Sequence, residues 1–149
     1  MEQARSPRDG ILMIAGFGDN ASLFHRLHGT ALAQEYDLLP FDMPGFGATP
    51  LEEETSVEAL SEAVAQEADR TGARIVLAHS VASIMASFAV GKSSTLDTIL
   101  SLEGNITAAD AYFSGTAADY EDPMDFRAAF LARLDGMARD SAVVARCLL

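Results

Sequence analysis

The ten residues Arg74-Ile-Val-Leu-Ala-His-Ser-Val-Ala-Ser83 constrain this chain more than any other stretch. Ile75, Val76 and Leu77 form a short apolar run with β-branched residues, which predicts a buried strand. Val81, Ala82, Ile84, Met85, Ala86, Phe88 and Ala89 are apolar nearly all round, which predicts a buried helix. Ser80 stands between them, with Ala78 and Ala82 two residues away on either side. A strand that turns directly into a helix strains the backbone of its turn residue and lifts that side chain above the sheet. Strand and helix then approach so closely that only small residues fit beside the turn. The amide of Val81, at the positive end of the helix, would face whatever Ser80 attacks. An ordinary strand-loop-helix junction with a polar serine satisfies the same pattern, so the neighbouring segments must decide.

Those neighbours alternate between strand and helix signals. Residues 1–10 read as a polar tail, and Ile11 to Ala15 as a buried strand ending at Gly16. After a Gly16-Phe-Gly-Asp-Asn20 turn, Leu23, Phe24, Leu27 and Ala31 recur at helical spacing, interrupted by His28-Gly29. Tyr36 to Asp42 is a second strand, and Pro40 within it predicts a strand end or an edge position. Met43-Pro-Gly-Phe-Gly-Ala-Thr-Pro50 is a rigid loop. Thr55-Ser-Val-Glu58 has the form of a capping box, with Thr55 as the cap. It opens a helix whose face is Val57, Leu60, Val64 and Ala68 and whose C-cap is Gly72. Gly91-Lys92 closes the helix after Ser80, with Lys92 complementing the negative helix end. Thr98 to Leu102 is a further strand, left as an exposed apolar edge. Asp122-Pro123 starts a helix with a buried face of Phe126, Phe130, Leu134 and Met137. Residues 141–149 read as one more apolar, helix-like segment. The fold class is therefore α/β, a parallel sheet with helices on both faces.

Three motifs in this order are similar to those of the α/β-hydrolase superfamily. Ala78-His-Ser-Val-Ala82 resembles the nucleophile elbow, with alanines in place of the usual glycines. Ala15-Gly-Phe-Gly-Asp19 resembles the loop that supplies the second oxyanion donor, although many members carry a histidine where this chain has Ala15. Asp42-Met-Pro-Gly-Phe-Gly47 resembles the D-x-P-G-x-G loop after the next strand, where Asp42 holds a turn together. The resemblance covers residues 11–106 as a partial hydrolase core of about four strands, the third to sixth of the family's eight. It makes 107–149 the start of a helical lid that is cut short. It implies Ser80 as a serine nucleophile, Gly16 as part of the oxyanion loop, and the amides of Phe17 and Val81 as the oxyanion hole. The implied reaction is hydrolysis of a small-molecule ester, thioester or related acyl substrate. C–C hydrolysis, cofactor-free peroxidase and acyltransferase chemistry stay open.

In this fold the triad runs serine, acid, histidine along the chain. A serine nucleophile needs a base, yet no histidine follows His79. The chain therefore reads as an N-terminal half, an incomplete hydrolase or a degenerate copy, and the apolar finish at Leu149 agrees. Glu103 is the candidate acid, just beyond a strand end on the edge where open α/β sheets bind ligands. A carboxylate that merely caps the strand end is the alternative. His25 and His28 read as surface histidines, and His79 as packing in need of a hydrogen bond.

Two readings from other classes stay open. Gly16-x-Gly18-x-x-Ala21 after a strand is formally a dinucleotide fingerprint, which makes the chain a nucleotide-binding Rossmann-like module. Against it, Asp42 comes late and runs into Pro-Gly-Phe-Gly. The other is a non-catalytic fold fragment that acts through a partner or oligomer covering its open sheet edge. Gly91-Lys-Ser93 mimics a phosphate loop but falls at a helix end, where carbonyls face out. Composition narrows the rest. The formal net charge of −12 over 149 residues argues against nucleic acid as a partner. The single cysteine, Cys147, suits a reducing, cytoplasmic compartment. No apolar run predicts a signal peptide or a membrane span. No cluster of His, Cys and carboxylates has metal-ligand spacing, and no cofactor is implied.

Overall fold

Gly10–Ile14 forms β1, and every one of its residues is buried. The computed structural model describes residues 8–51, 55–104, 107, 109–110 and 114–140. β1 pairs on one side with β2 (Asp37–Phe41) and on the other with β3 (Ile75–His79). β4 (Thr98–Leu102) pairs with β3, so the sheet order is β2-β1-β3-β4, all parallel. A central parallel strand is covered on both faces, which is why β1 reads as one unbroken apolar run.

Alternate residues of β1 serve opposite faces. Leu12 and Ile14 pack with Leu60, Val64 and Ala68 of α2 (Val57–Thr71) and with Met85, Ala86 and Ala89 of α3 (Ala82–Val90). Ile11, Met13 and Ala15 pack instead against Phe24 and Leu77, with Leu27 and Leu32 at the margin. Leu27 belongs to a 3-10 helix, Ala21–Gly29, and Leu32 opens the short α1, Leu32–Glu35. The first of these segments has helical spacing but buries only Phe24. One buried side chain gives little reason for a full α-helix, and the chain takes the tighter turn. Pro40 is exposed on β2, an edge strand, as its missing amide requires.

The cap of α2 differs from the sequence expectation. Ser56, with extended backbone, is the N-cap, and its hydroxyl accepts from the Ala59 amide at 3.1 Å. The Thr55–Glu58 capping box does not form, and Glu58 pairs with Lys92 instead. Lys92 also reaches Glu62 at 3.6 Å, so it ties the end of α3 to α2. Gly72 closes α2 in the left-handed conformation, φ 72°. Val57 and Phe88 were expected inside; they are 45% and 54% exposed. The neighbours of α2 and α3 cover only one side of each helix.

A second link joins α2 to the approach of β4. Asp69 Oδ1 accepts from the Ser93 hydroxyl at 2.6 Å and from the amides of Ser94 and Thr95 at 2.9 and 3.2 Å. The Ser93 hydroxyl, above all, holds the Asp69 carboxyl below its ordinary value of 3.8, against the pull of desolvation. A depressed folded-state pKa stabilises the fold above the unfolded value, and that contribution is lost as pH falls through the folded value. Asp69→Asn is therefore expected to lower stability at neutral pH and to converge on the parent well below pH 3.8. Urea midpoints across an acid series check this. A gap that persists unchanged into acid would mean the carboxylate charge is not its source.

The described residues from 114 to 140 belong to a second compact unit. It contains a 3-10 helix, Ser114–Asp119, and α4, Pro123–Asp140. Asp122 caps α4 by accepting from the Met124 amide at 2.8 Å, with Pro123 at the first helical position. Phe126 is buried and packs on Tyr120 and Phe130 with ring centroids 5.6 and 5.4 Å apart. Met137, expected on the same face, is exposed. The expected segment 141–149 lies outside the described residues.

Candidate active site

β3 ends at His79 and α3 begins at Ala82, which leaves two residues to turn the chain. Ser80 makes the turn with φ 54°. Among the described residues only Ser80 and Glu103 hold a positive φ without being glycine. That conformation costs a non-glycine residue about 1–2 kcal/mol. Backbone hydrogen bonds hold it: the Ser80 amide donates to Leu102 O at 2.8 Å, and Ser80 O accepts from the Ser83 amide at 3.1 Å. Ala78 and Ala82 are wholly buried on either side, at the two positions where size was expected to be limiting.

The loop after β1 presses against this turn. A methyl group on Gly16 would lie 2.8 Å from both His79 O and Ser80 Cβ. Only glycine permits that approach. Gly16 is buried and Phe17, next to it, is 40% exposed. Gly16 therefore brings the Phe17 segment to the elbow, where Val81 stands at the N-terminal end of α3. Asp42 fastens the loop from behind. Its carboxylate accepts from the amides of Ala21 at 2.7 Å and Ala48 at 3.1 Å, and Gly47, at φ 53°, leaves room for it. Asp42 thus has the structural role expected of it.

The same bond tells against the dinucleotide reading. That reading needs an α-helix opening near Ala21 to receive a phosphate. A 3-10 helix stands there, and its first amide is already taken by a carboxylate.

Glu103 follows β4 directly, with φ 49°. Because His79 pairs with Leu102, Ser80 and Glu103 are the next residues of neighbouring strands. Two strained residues thus sit side by side at the carboxyl edge of a parallel sheet, the edge at which open α/β sheets bind ligands. The Glu103 side chain is exposed. The histidines lie elsewhere. His25 and His28 are exposed on the 3-10 helix, ring centroids 6.3 Å apart. His79 Nδ1 is buried, with no hydrogen-bond partner among the described residues. Among the described residues no three His, Cys, Asp or Glu gather to hold a metal ion, and no helix is long and apolar enough to cross a membrane. A cavity of about 330 Å³ lies within the C-terminal unit, lined by Asp119, Tyr120, Phe126, Phe130 and Arg133 among others.

Sequence reasoning missed a contact beside Glu103. Ser83, 2% exposed on α3, and Ser101 on β4 share a hydrogen bond at 2.8 Å between their hydroxyls, and Gly104 sits against both. The glycine after Glu103 was the available signal, but the serines meet only once the crossover is folded.

A family model described as the alpha/beta hydrolase family matches residues 11–147. Among solved structures, Cfl2 from Burkholderia cenocepacia is 19% identical with a TM-score of 0.67, over 91% of this chain and 52% of that one. A proline iminopeptidase-related protein from Thermus thermophilus is 20% identical with a TM-score of 0.57, over 85% of this chain and 49% of that one. A monoacylglycerol lipase from Paleococcus ferrophilus is 14% identical with a TM-score of 0.55, over 74% of this chain and 48% of that one. These likenesses show the fold. The chain spans about half the length of each. No curated protein matches the sequence.

Proposed function

The chain belongs to the alpha/beta hydrolase family, and from that premise we propose that it carries the nucleophile half of an acyl hydrolase, with Ser80 as the attacking residue. The observation that carries this is the strained φ of Ser80 at a two-residue strand-to-helix turn, with Gly16 packed against it. Ser80 Oγ attacks the acyl carbon of an ester, thioester or related small substrate and passes its proton to a base. The amides of Phe17 and Val81 stabilise the oxyanion of the tetrahedral intermediate. Its collapse expels the protonated leaving group, and water then releases the acid from Ser80 by the same steps. Glu103 orients the base and stabilises its charged form.

The base itself is the open position. No histidine follows His79, and the chain spans about half of its solved relatives. We place that histidine on polypeptide outside these 149 residues, beside the open edge of β4. Leu100 and Leu102 are 44% and 46% exposed there, which is the apolar surface a further strand and its helix would cover. The C-terminal unit serves as the start of a lid, and a reducing, cytoplasmic setting fits the single cysteine. Should no such polypeptide exist, the chain is a non-catalytic fold unit acting through a partner on that edge.

A fluorophosphonate probe on the native polypeptide, followed by peptide mapping, tests the assignment. One equivalent of label on Ser80 is expected. Label on any other serine, or none on a polypeptide that includes the later histidine, would remove Ser80 from the nucleophile's role.

A further inference from the structure

Among the described residues, Glu103 is the second of two non-glycine residues with a positive φ, a conformation that calls for an explanation. The explanation lies beneath it. A methyl on Gly104 would overlap the Ser101 hydroxyl and lie 2.7 Å from the Ser83 hydroxyl and 3.1 Å from Ser83 Cβ. The two hydroxyls are bonded to each other at 2.8 Å. Ser83 is in the first turn of α3, three residues after Ser80, and its amide donates to Ser80 O at 3.1 Å. The Ser80 amide in turn donates to Leu102 O, one residue before Glu103. A closed circuit therefore runs from Ser80 through Ser83, Ser101 and Gly104 to Glu103 and back through Leu102.

We infer that Ser83 and Ser101 are positioning residues: their hydroxyl pair, seated under Gly104, fixes the left-handed turn at Glu103 and ties it to the first turn of the elbow helix. A serine 2% exposed satisfies its hydroxyl almost entirely within the protein. Such a pair has a defined geometry, whereas an alanine pair of similar size would let the strand end slide. The consequence is that the two strained residues move together. The carboxylate keeps its place relative to the nucleophile, although its own side chain is exposed. The catalytic part of this inference rests on the reading of Glu103 as the acid.

The test compares the rate of fluorophosphonate labelling of Ser80 in the native polypeptide for Ser83→Ala, Ser101→Ala, Glu103→Gln and Ser83→Ala/Glu103→Gln. Each serine variant is expected to fold and to label roughly tenfold more slowly. The double variant should label no more slowly than Glu103→Gln, since the serines act through the carboxylate. A Ser83→Ala effect that is as large in the Glu103→Gln background would show that the pair acts on the elbow directly, and would overturn the inference. So would unchanged labelling in both serine variants. If Glu103→Gln labels like the parent, the reading of Glu103 as the acid falls. Hydrogen exchange then judges the brace alone: amides at 102–104 should exchange faster in Ser83→Ala and in Gly104→Ala, and unchanged exchange would dismiss it.

Discussion

Alanine at position 80 is expected to leave the protein folded and to end its reaction with fluorophosphonates and with ester substrates. Removal of a serine nucleophile costs on the order of 10⁶ in kcat where a full triad is present. Glycine at the same position should be equally inactive but more stable than alanine. Both variants lack the hydroxyl, so the comparison isolates the backbone. At φ 54° a β-carbon costs about 1–2 kcal/mol. The greater freedom of glycine in the unfolded chain returns about 0.4–1 kcal/mol of that. Ser80→Gly should therefore exceed Ser80→Ala by roughly 0.5–1 kcal/mol in urea denaturation. Equal stabilities, or alanine above glycine, would mean that the turn is not strained, and the observation behind the nucleophile assignment would lose its force.

Strain of this kind is legible in sequence only through its neighbours. Ser80 itself is an ordinary residue; Ala78 and Ala82, both wholly buried, are what show that strand and helix meet closely there. The apolar run of β1 and the edge-marking Pro40 are equally local signals, and the structure follows them. Where the outcome depends on distant partners, the pattern misleads. The segment after Asn20 has helical spacing, but with Phe24 alone buried it settles as a 3-10 helix. α3 is apolar on every side, so nothing in its sequence distinguishes buried Met85 from Phe88, which is 54% exposed. Thr55 and Ser56 are both competent caps, and neither residue type nor spacing distinguishes the one the fold uses, Ser56. Ser83 and Ser101 meet across eighteen residues, through a crossover whose exact length no periodicity records. The conformation of Glu103 was invisible for the same reason.

Gly16→Ala is the second substitution expected to have a large effect, and it separates closeness from backbone conformation. Gly16 does not hold a positive φ, so conformation alone does not demand glycine there. The demand comes from space: the added methyl would stand 2.8 Å from His79 O and Ser80 Cβ and 3.2 Å from His79 Nδ1. Neither neighbour can yield cheaply. One is the carbonyl of a strand in the middle of the sheet, and the other belongs to the strained elbow. The loop must move instead, and Phe17 moves with it. Overpacking of this kind costs about 1–3 kcal/mol of stability. Losing one oxyanion donor costs about 10²–10³ in kcat. Because that donor acts on charge present only in the transition state, kcat should fall while KM changes little. Gly18→Ala is the control. Its β-carbon would meet nothing within 4 Å, and its φ of 79° makes the cost one of backbone strain alone. It should lose about 1 kcal/mol of stability and keep its labelling rate. If Gly16→Ala melts earlier yet labels Ser80 as fast as the parent, the loop is packing and the oxyanion hole must be sought elsewhere. If it labels slowly while Gly18→Ala does not, the approach of Gly16 to the elbow serves the reaction as well as the fold.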